Sequence, residues 1–87
     1  MTRWEKLAHD LCGHPIPPQA STRDLFALLE GAGWTFVRYS GRNYAIFESP
    51  QGELLNVPMV QGRRVKRAYL RRACQMLGLD DEADATD

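Results

Sequence analysis

The 87-residue sequence predicts one domain of the α+β class, in which helices cover one face of a small sheet. Apolar residues recur with helical spacing in three segments, and this spacing predicts three helices. Between the second and third of these segments lie three short runs of β-branched and aromatic residues, separated by turn residues, which predict three strands. Because the strands are consecutive and their connections are short, they are expected to form an antiparallel meander.

The first predicted helix covers residues 1–12, where Thr2 and Glu5 have the spacing of a capping box. Its apolar stripe consists of Trp4, Leu7, Ala8 and Leu11. A helix this short is marginal in water by itself, so the stripe must be buried, either against the domain's own helices or against a second chain. Three prolines in residues 13–20 exclude a helix there and predict a semi-rigid linker.

The second helix is predicted to begin at Ser21 or Thr22, because hydroxyl side chains are favoured as N-caps. The strands are predicted over residues 34–39, 43–48 and 53–57. A third helix is predicted from about Val65 to Leu77. Its spacing places the following side chains on the inward face: Tyr69, Leu70, Ala73, Cys74 and Leu77.

The two cysteines, Cys12 and Cys74, are 62 residues apart and show no Cys-x-x-Cys spacing. They are interpreted as two reduced thiols in the core, which is typical of a cytoplasmic protein. No metal site and no cofactor are expected. The sequence has no apolar run long enough for a signal peptide or a membrane span, so a cytoplasmic location without membrane association is predicted.

Charge is distributed unevenly although eleven basic and eleven acidic residues cancel. Residues 38–72 contain eight basic and two acidic side chains, whereas the acidic tail, residues 80–87, contains five acidic and no basic ones. Seven cations form a candidate phosphate-binding surface: Arg42, Arg63, Arg64, Lys66, Arg67, Arg71 and Arg72. Arginine pairs phosphate oxygens two at a time, so this pattern predicts binding of a nucleic acid or another polyanion. The alternative is a merely solvated helix face.

A series of short motifs runs through residues 21–79 without a gap. It comprises the helix and its exit from Ser21 to Trp34, Phe36-Val-Arg38, Ile46-Phe47 with Pro50 and Gly52, Val57-Pro58, Gly62, Lys66, Leu70-Arg71 and Gly78-Leu79. This part of the chain resembles the HicA (YcfA-like) toxins of bacterial toxin–antitoxin systems. The resemblance implies a double-stranded-RNA-binding-domain-like (dsRBD-like) αβββα fold with two helices on one face of the sheet, preceded here by an extra N-terminal helix. It also implies a metal-free messenger-RNA endoribonuclease and an antitoxin-like protein partner.

One departure from the family concerns the catalytic histidine, which family members carry at the start of the second strand. Counting back from Ile46 places Tyr44 at that position, whereas counting forward from Gly41 places Asn43 there. Imidazole, with a pKa of about 6.5, suits proton transfer near neutral pH, whereas a phenol with a pKa of about 10 suits it poorly. Ribonuclease activity is therefore expected to be weak, altered or lost. His9 and His14 are alternative proton donors, or ordinary surface and cap residues.

These observations predict a small cytoplasmic protein that binds RNA, with messenger RNA as the expected target, with or without cleaving it. Tyr39 and Tyr44 are interpreted either as sheet aromatics or as stacking platforms for bases. The alternative function is a catalytically inactive protein-interaction module that docks an acidic partner or an antitoxin. The predicted organisation is helix 1–12, linker 13–20, RNA-binding domain 21–79 and acidic tail 80–87.

Overall fold

A three-stranded antiparallel sheet with helices packed on it confirms the predicted α+β class. The computed structural model describes residues 2–13 and 15–79, so the acidic tail and His14 lie outside the described residues. The elements are α1 (Arg3–Cys12), β1 (Gln19–Ser21), α2 (Thr22–Gly31), β2 (Thr35–Ser40), β3 (Tyr44–Glu48), β4 (Leu54–Pro58), β5 (Arg64–Lys66) and α3 (Arg67–Met76). Within the described ranges, none of the helices has the length and apolar character needed to cross a membrane.

The sheet has the order β2-β3-β4, and alternation along its strands separates a buried face from an outer face. Phe47 lies opposite Phe36 on one neighbouring strand and opposite Leu55 on the other, so these residues share a face. The ring of Phe26, from α2, contacts both phenylalanines, with centroids 4.9 Å from Phe47 and 6.1 Å from Phe36. The opposite face carries Tyr44 and other exposed side chains.

A second, two-stranded sheet forms where β1 pairs antiparallel with β5, with Ala20 opposite Val65. The predicted start of the third helix at Val65 is therefore wrong: the chain is extended over Arg64–Lys66, and α3 begins at Arg67. Pairing with β1 provides this segment with backbone hydrogen bonds, and Val65 is fully buried in the core. Gln19 and Ala20, from the predicted linker, belong to β1.

Helix α1 packs against α2 and α3, so the chain's own helices bury Leu11 and partly bury the rest of its apolar stripe. The Trp4 indole Nε1 donates a hydrogen bond to the Leu28 carbonyl oxygen at 3.0 Å. The predicted capping box is present: Glu5 N donates to Thr2 Oγ1 at 3.1 Å, and Thr2 N donates to Glu5 Oε1 at 2.9 Å. Of the two alternatives for α1, packing within the domain describes the structure.

A disulfide joins Cys12, at the end of α1, to Cys74 on α3, so the prediction of two reduced thiols is wrong. Packing of the two helices places both cysteines in their interface, with Cα atoms 5.6 Å apart. That separation lies within the range a disulfide requires. The bond ties the N-terminal helix covalently to the helix that carries three of the predicted binding residues.

Candidate nucleic-acid interface

The seven predicted binding residues, here called the basic surface, come from four pieces of the chain, and all seven are exposed. Arg42 lies in the β2–β3 turn and Arg63 in the loop before β5. The others lie on β5 and α3: Arg64, Lys66, Arg67, Arg71 and Arg72. The continuous segment from Arg63 to Arg72 therefore changes from loop to strand to helix within ten residues.

Strand β5 points its two cations outward because the residue between them is buried. Val65 has no exposed surface, and side chains alternate along a strand, so Arg64 and Lys66 share the opposite side. Lys66 is also the N-cap residue of α3, and Arg67 occupies the first helical position. The short strand and the start of the helix thus present their charges without interruption.

Backbone contacts bring the β2–β3 turn to the same end of the molecule as the β5 loop. The Asn43 carbonyl oxygen accepts a hydrogen bond from Met59 N at 2.6 Å. Val60, the next residue, pairs with Arg64, and Arg63 N donates to the Val60 carbonyl oxygen at 3.0 Å. Arg42, which precedes Asn43, therefore lies at the end of the fold where Arg63 and Arg64 emerge.

Six cations of the basic surface form no side-chain hydrogen bond and no ion pair with any residue of the described ranges. They are Arg42, Arg63, Arg64, Lys66, Arg67 and Arg72. Helix α3 also has no acidic residue in its first turn, although a carboxylate there would be favoured by the helix dipole. These six cations consequently combine clustered like charges with a lack of side-chain partners in the described part of the chain, which favours an anionic ligand.

An open concavity of about 250 Å³ lies in this surface at the paired strands β1 and β5. Arg63 and Arg64 line it on one side and Gln19, Ala20 and Ser21 on the other. The Ser21 hydroxyl oxygen accepts a hydrogen bond from Asp24 N at 3.1 Å and so caps α2. The concavity places the two exposed arginines opposite the polar residues of β1, where a phosphate oxygen could be approached from more than one direction.

The two predicted catalytic positions lie at the start of β3. Tyr44 is 47% exposed on the outer face of the sheet, and Asn43 is exposed in the preceding turn. No side chain of the described residues forms a hydrogen bond with either of them. His9 is on α1, whose main contacts are with α2 and α3. The described residues therefore do not assemble a proton-transfer pair around Asn43 and Tyr44.

Tyr69 was predicted on the inward face of the third helix, and this prediction is wrong: its side chain is 42% exposed. Leu70, Ala73 and Cys74 provide the buried stripe of α3 without it. Lys66 and Arg72, three residues before and three residues after Tyr69, are the feature of the sequence that indicates its exposure. Residues at this spacing are neighbours on a helix surface, and charged neighbours favour the solvent side. Tyr39, in contrast, contacts the Phe36 ring with centroids 5.0 Å apart.

No group of three or more histidine, cysteine or acidic residues in the described ranges is arranged to hold a metal ion. The arrangement offers exposed arginine side chains and a tyrosine, which bind anions and stack on flat rings, rather than a set of metal ligands. Comparisons with protein-family models, with curated proteins and with solved structures gave no match.

Proposed function

We propose that this chain is a small RNA-binding protein of the HicA-like, toxin–antitoxin type, and that the basic surface holds RNA phosphates. The observation that carries the proposal is the set of six exposed cations with no internal partner among the described residues. Guanidinium groups form two parallel hydrogen bonds with a phosphate, and a polyanion would neutralise charges that otherwise repel one another. Messenger RNA is the proposed target.

The order of elements supports the same proposal. The segment α2-β2-β3-β4-α3 follows the αβββα order of a dsRBD-like fold, with β5 inserted before the last helix. Helices cover the buried face of the sheet. The basic surface begins at the β2–β3 turn, at one end of the sheet, and continues through β5 onto α3. We propose the dsRBD-like arrangement as the finer description of the fold.

Cleavage is not part of the principal proposal, because no side chain of the described residues forms a hydrogen bond with the side chain of Asn43 or Tyr44. An amide does not titrate, and an ordinary phenol remains protonated near neutral pH, so neither residue replaces an imidazole. We expect the chain to bind RNA and to leave it intact or to cut it slowly. Any residual activity would be that of a metal-free endoribonuclease.

The proposal places the chain in the cytoplasm, where messenger RNA is found. Disulfides are rare in that compartment because cellular thiols keep cysteines reduced. Cys12 and Cys74 are 4% and 0% exposed, so the packed helices shield this bond from attack by other thiols. The disulfide is therefore compatible with the proposed location only as a protected, structural bond.

The experiment that tests RNA binding is a titration with fluorescent single-stranded RNA at several salt concentrations. With about five phosphates contacted, the logarithm of the association constant is expected to fall with the logarithm of salt concentration with a slope of roughly −4. Replacing Arg64 and Arg67 with alanine is expected to reduce that slope by about 1.5 and to weaken binding. The same samples, analysed by gel electrophoresis after incubation, report RNA cleavage.

A matched control removes two other exposed cations, Arg3 and Lys6, which lie on α1. Arg3→Ala with Lys6→Ala changes the net charge by the same amount and is expected to leave both affinity and salt slope nearly unchanged. Equal losses in the two double variants would show that binding follows net charge and would refute a defined surface. A flat salt dependence, or no binding by the wild type, would refute the proposal itself.

A second candidate function is a protein-interaction module for an acidic or antitoxin-like partner. The outer face of the sheet favours it, because Leu54 is 64% and Tyr44 47% exposed there. A contiguous exposed apolar patch is typical of protein-binding surfaces, and the half-buried Ile46 lies between these two side chains on the same face. Co-expression with the product of the adjacent reading frame would yield a stoichiometric complex on gel filtration if this function is correct, and separate proteins if it is not.

A further inference from the structure

We infer that Tyr69 is a base-stacking residue and that the RNA segment bound beside it is unpaired. The inference rests on the proposed function, because it concerns how the basic surface would hold RNA. Tyr69 is exposed on α3 although the sequence pattern predicted it to be buried. Its neighbours on the surface, rather than its contacts with the core, indicate what it does.

Four side chains form a continuous row from β5 along α3. Arg64 and Lys66 share the outer side of β5, because Val65 between them points into the core. Lys66, Tyr69 and Arg72 then follow at intervals of three residues, which places them along one side of the helix. From the rise per residue of a strand and of a helix, the row is about 16 Å long.

The aromatic ring lies between cations in this row. Lys66 precedes it by one helical turn and Arg72 follows it by one turn, and neither has a side-chain partner in the described part of the chain. Cations on both sides would hold successive phosphates of a strand while the ring contacts the base between them. This combination of a charged track and an aromatic platform is typical of proteins that bind single-stranded nucleic acids.

The ring of Tyr69 is also available for such a contact. In the described residues, aromatic ring contacts connect Phe26, Phe36, Phe47 and Tyr39, and none of them involves Tyr69. Tyr39 is more exposed, at 59% against 42%, but its ring packs against Phe36. The two tyrosines therefore form a matched pair: one is attached to the core cluster, and the other lies among cations.

A base can stack on Tyr69 only if it leaves its own helix. Within an A-form duplex the bases are stacked on one another, and proteins contact mainly the backbone and the 2′-hydroxyl groups. A single strand, a loop or a bulge leaves base faces accessible to an aromatic side chain. The exposed ring therefore points to unpaired nucleotides as the preferred ligand at this row.

The test compares wild type, Tyr69→Ala, Tyr69→Phe and Tyr39→Ala, using a 12-nucleotide single strand, a 12-base-pair RNA duplex and inorganic polyphosphate as probes. Tyr69→Ala is expected to weaken single-strand binding roughly 5- to 150-fold, whereas its affinity for polyphosphate, which has no bases, should stay within about twofold. Tyr69→Phe keeps the ring and should retain the wild-type affinity. Tyr39→Ala should also bind the single strand as the wild type does. Thermal unfolding of each variant verifies that it is folded.

The outcomes separate this inference from the proposed function. If the wild type binds none of the RNA probes, the proposed function is wrong and the inference fails with it. If the wild type binds single-stranded RNA and Tyr69→Ala binds it equally well, RNA binding stands and the stacking role is refuted. The role is also refuted if Tyr69→Ala loses polyphosphate binding to the same degree, if Tyr39→Ala loses as much affinity for RNA, or if the duplex is bound more tightly than the single strand.

Discussion

Helices α1 and α3 are both ten residues long, bury one side in the same core and are joined by the disulfide, yet they begin in opposite ways. Thr2 caps α1, and Glu5, at the third helical position, completes the capping box. The corresponding positions of α3 are Lys66, which provides no side-chain cap, and Tyr69. Both first turns contain an arginine, Arg3 in α1 and Arg67 in α3, but only that of α1 also contains a carboxylate.

This difference shows where the chain gives up local stability. A missing N-cap costs about 1 kcal/mol, and a first turn without a carboxylate lacks a further few tenths of a kcal/mol from the helix dipole. Proteins depart from such local rules mainly at functional sites. The unfavourable start of α3 coincides with the centre of the basic surface, whereas the favourable start of α1 lies away from it. The need to place cations where they bind an anionic ligand is a sufficient reason for the unfavourable start of α3.

The largest expected effect comes from removing the disulfide that joins the two helices. A disulfide that closes a loop of 62 residues restricts the unfolded chain, so Cys12→Ala with Cys74→Ala should lower the free energy of unfolding by about 2–4 kcal/mol. Because α3 has the less stable start, its amide protons should lose more protection in hydrogen exchange than those of α1. Urea unfolding and hydrogen exchange measure the two effects.

The control for this prediction is a reductant. When dithiothreitol is present during urea unfolding it can reduce the bond once the helices separate, so the wild type should then approach the stability of the double variant, and the double variant should not respond. Alkylation of intact cells before lysis, followed by mass measurement, reports whether the bond forms where the protein functions. Equal urea midpoints for the oxidised wild type and the double variant would contradict the prediction. They would show that packing alone stabilises the contact between the two helices.

Local signals were sufficient to predict α1, α2 and the three-stranded meander. The capping box of Thr2 and Glu5 involves residues three apart, and the strands are separated by short turns, so the relevant contacts are close in sequence. The exposed cations were also predicted correctly as a group, because charged side chains are seldom buried. RNA binding itself stays a prediction.

Contacts between distant residues were not predictable in the same way. Gln19 pairs with Lys66 across 47 positions, and a three-residue strand has too short a pattern to be distinguished from a linker or a helix start. The disulfide likewise depends on how α1 lies against α3, which the spacing of two cysteines does not encode. Tyr69 was misplaced because helical spacing leaves the boundary of an apolar stripe uncertain by one residue.

A smaller effect should follow from giving α3 the kind of start that α1 has. Lys66 has extended backbone angles, φ −77° and ψ 159°, which suit an N-cap, so Lys66→Ser should raise the free energy of unfolding by about 0.5–1 kcal/mol. The same change removes one cation, so the salt slope of RNA binding should become less steep by about 0.7–0.9. Stability would rise while affinity falls, in agreement with the trade-off at this helix.

Lys66→Ala is the matched control, because it removes the same charge without supplying a cap. It should reproduce the loss of RNA affinity but not the gain in stability. Thr2→Ala makes the reciprocal change at α1 and should lower stability by a similar amount while leaving RNA affinity unchanged. If the serine variant were no more stable than the alanine variant, the start of α3 would not be limited by its missing cap.

The smallest expected effect concerns the charge of Glu5 at the start of α1. The backbone hydrogen bond from Thr2 N, and secondarily the Thr2 side chain, lower the pKa of Glu5 below its ordinary value of 4.5. A carboxyl whose pKa is lower in the folded state stabilises the fold above its unfolded pKa, and this contribution is lost as the pH falls through the folded pKa.

Glu5→Gln keeps an acceptor for Thr2 N but has no charge, so it should unfold at slightly lower urea concentration than the wild type at pH 7. The difference should shrink steadily as the pH falls below about 4.5, and it should disappear once the wild-type carboxyl is protonated. A difference that persisted at acid pH would show that Glu5 stabilises α1 by shape rather than by charge, and the contrast with the basic start of α3 would then not be electrostatic.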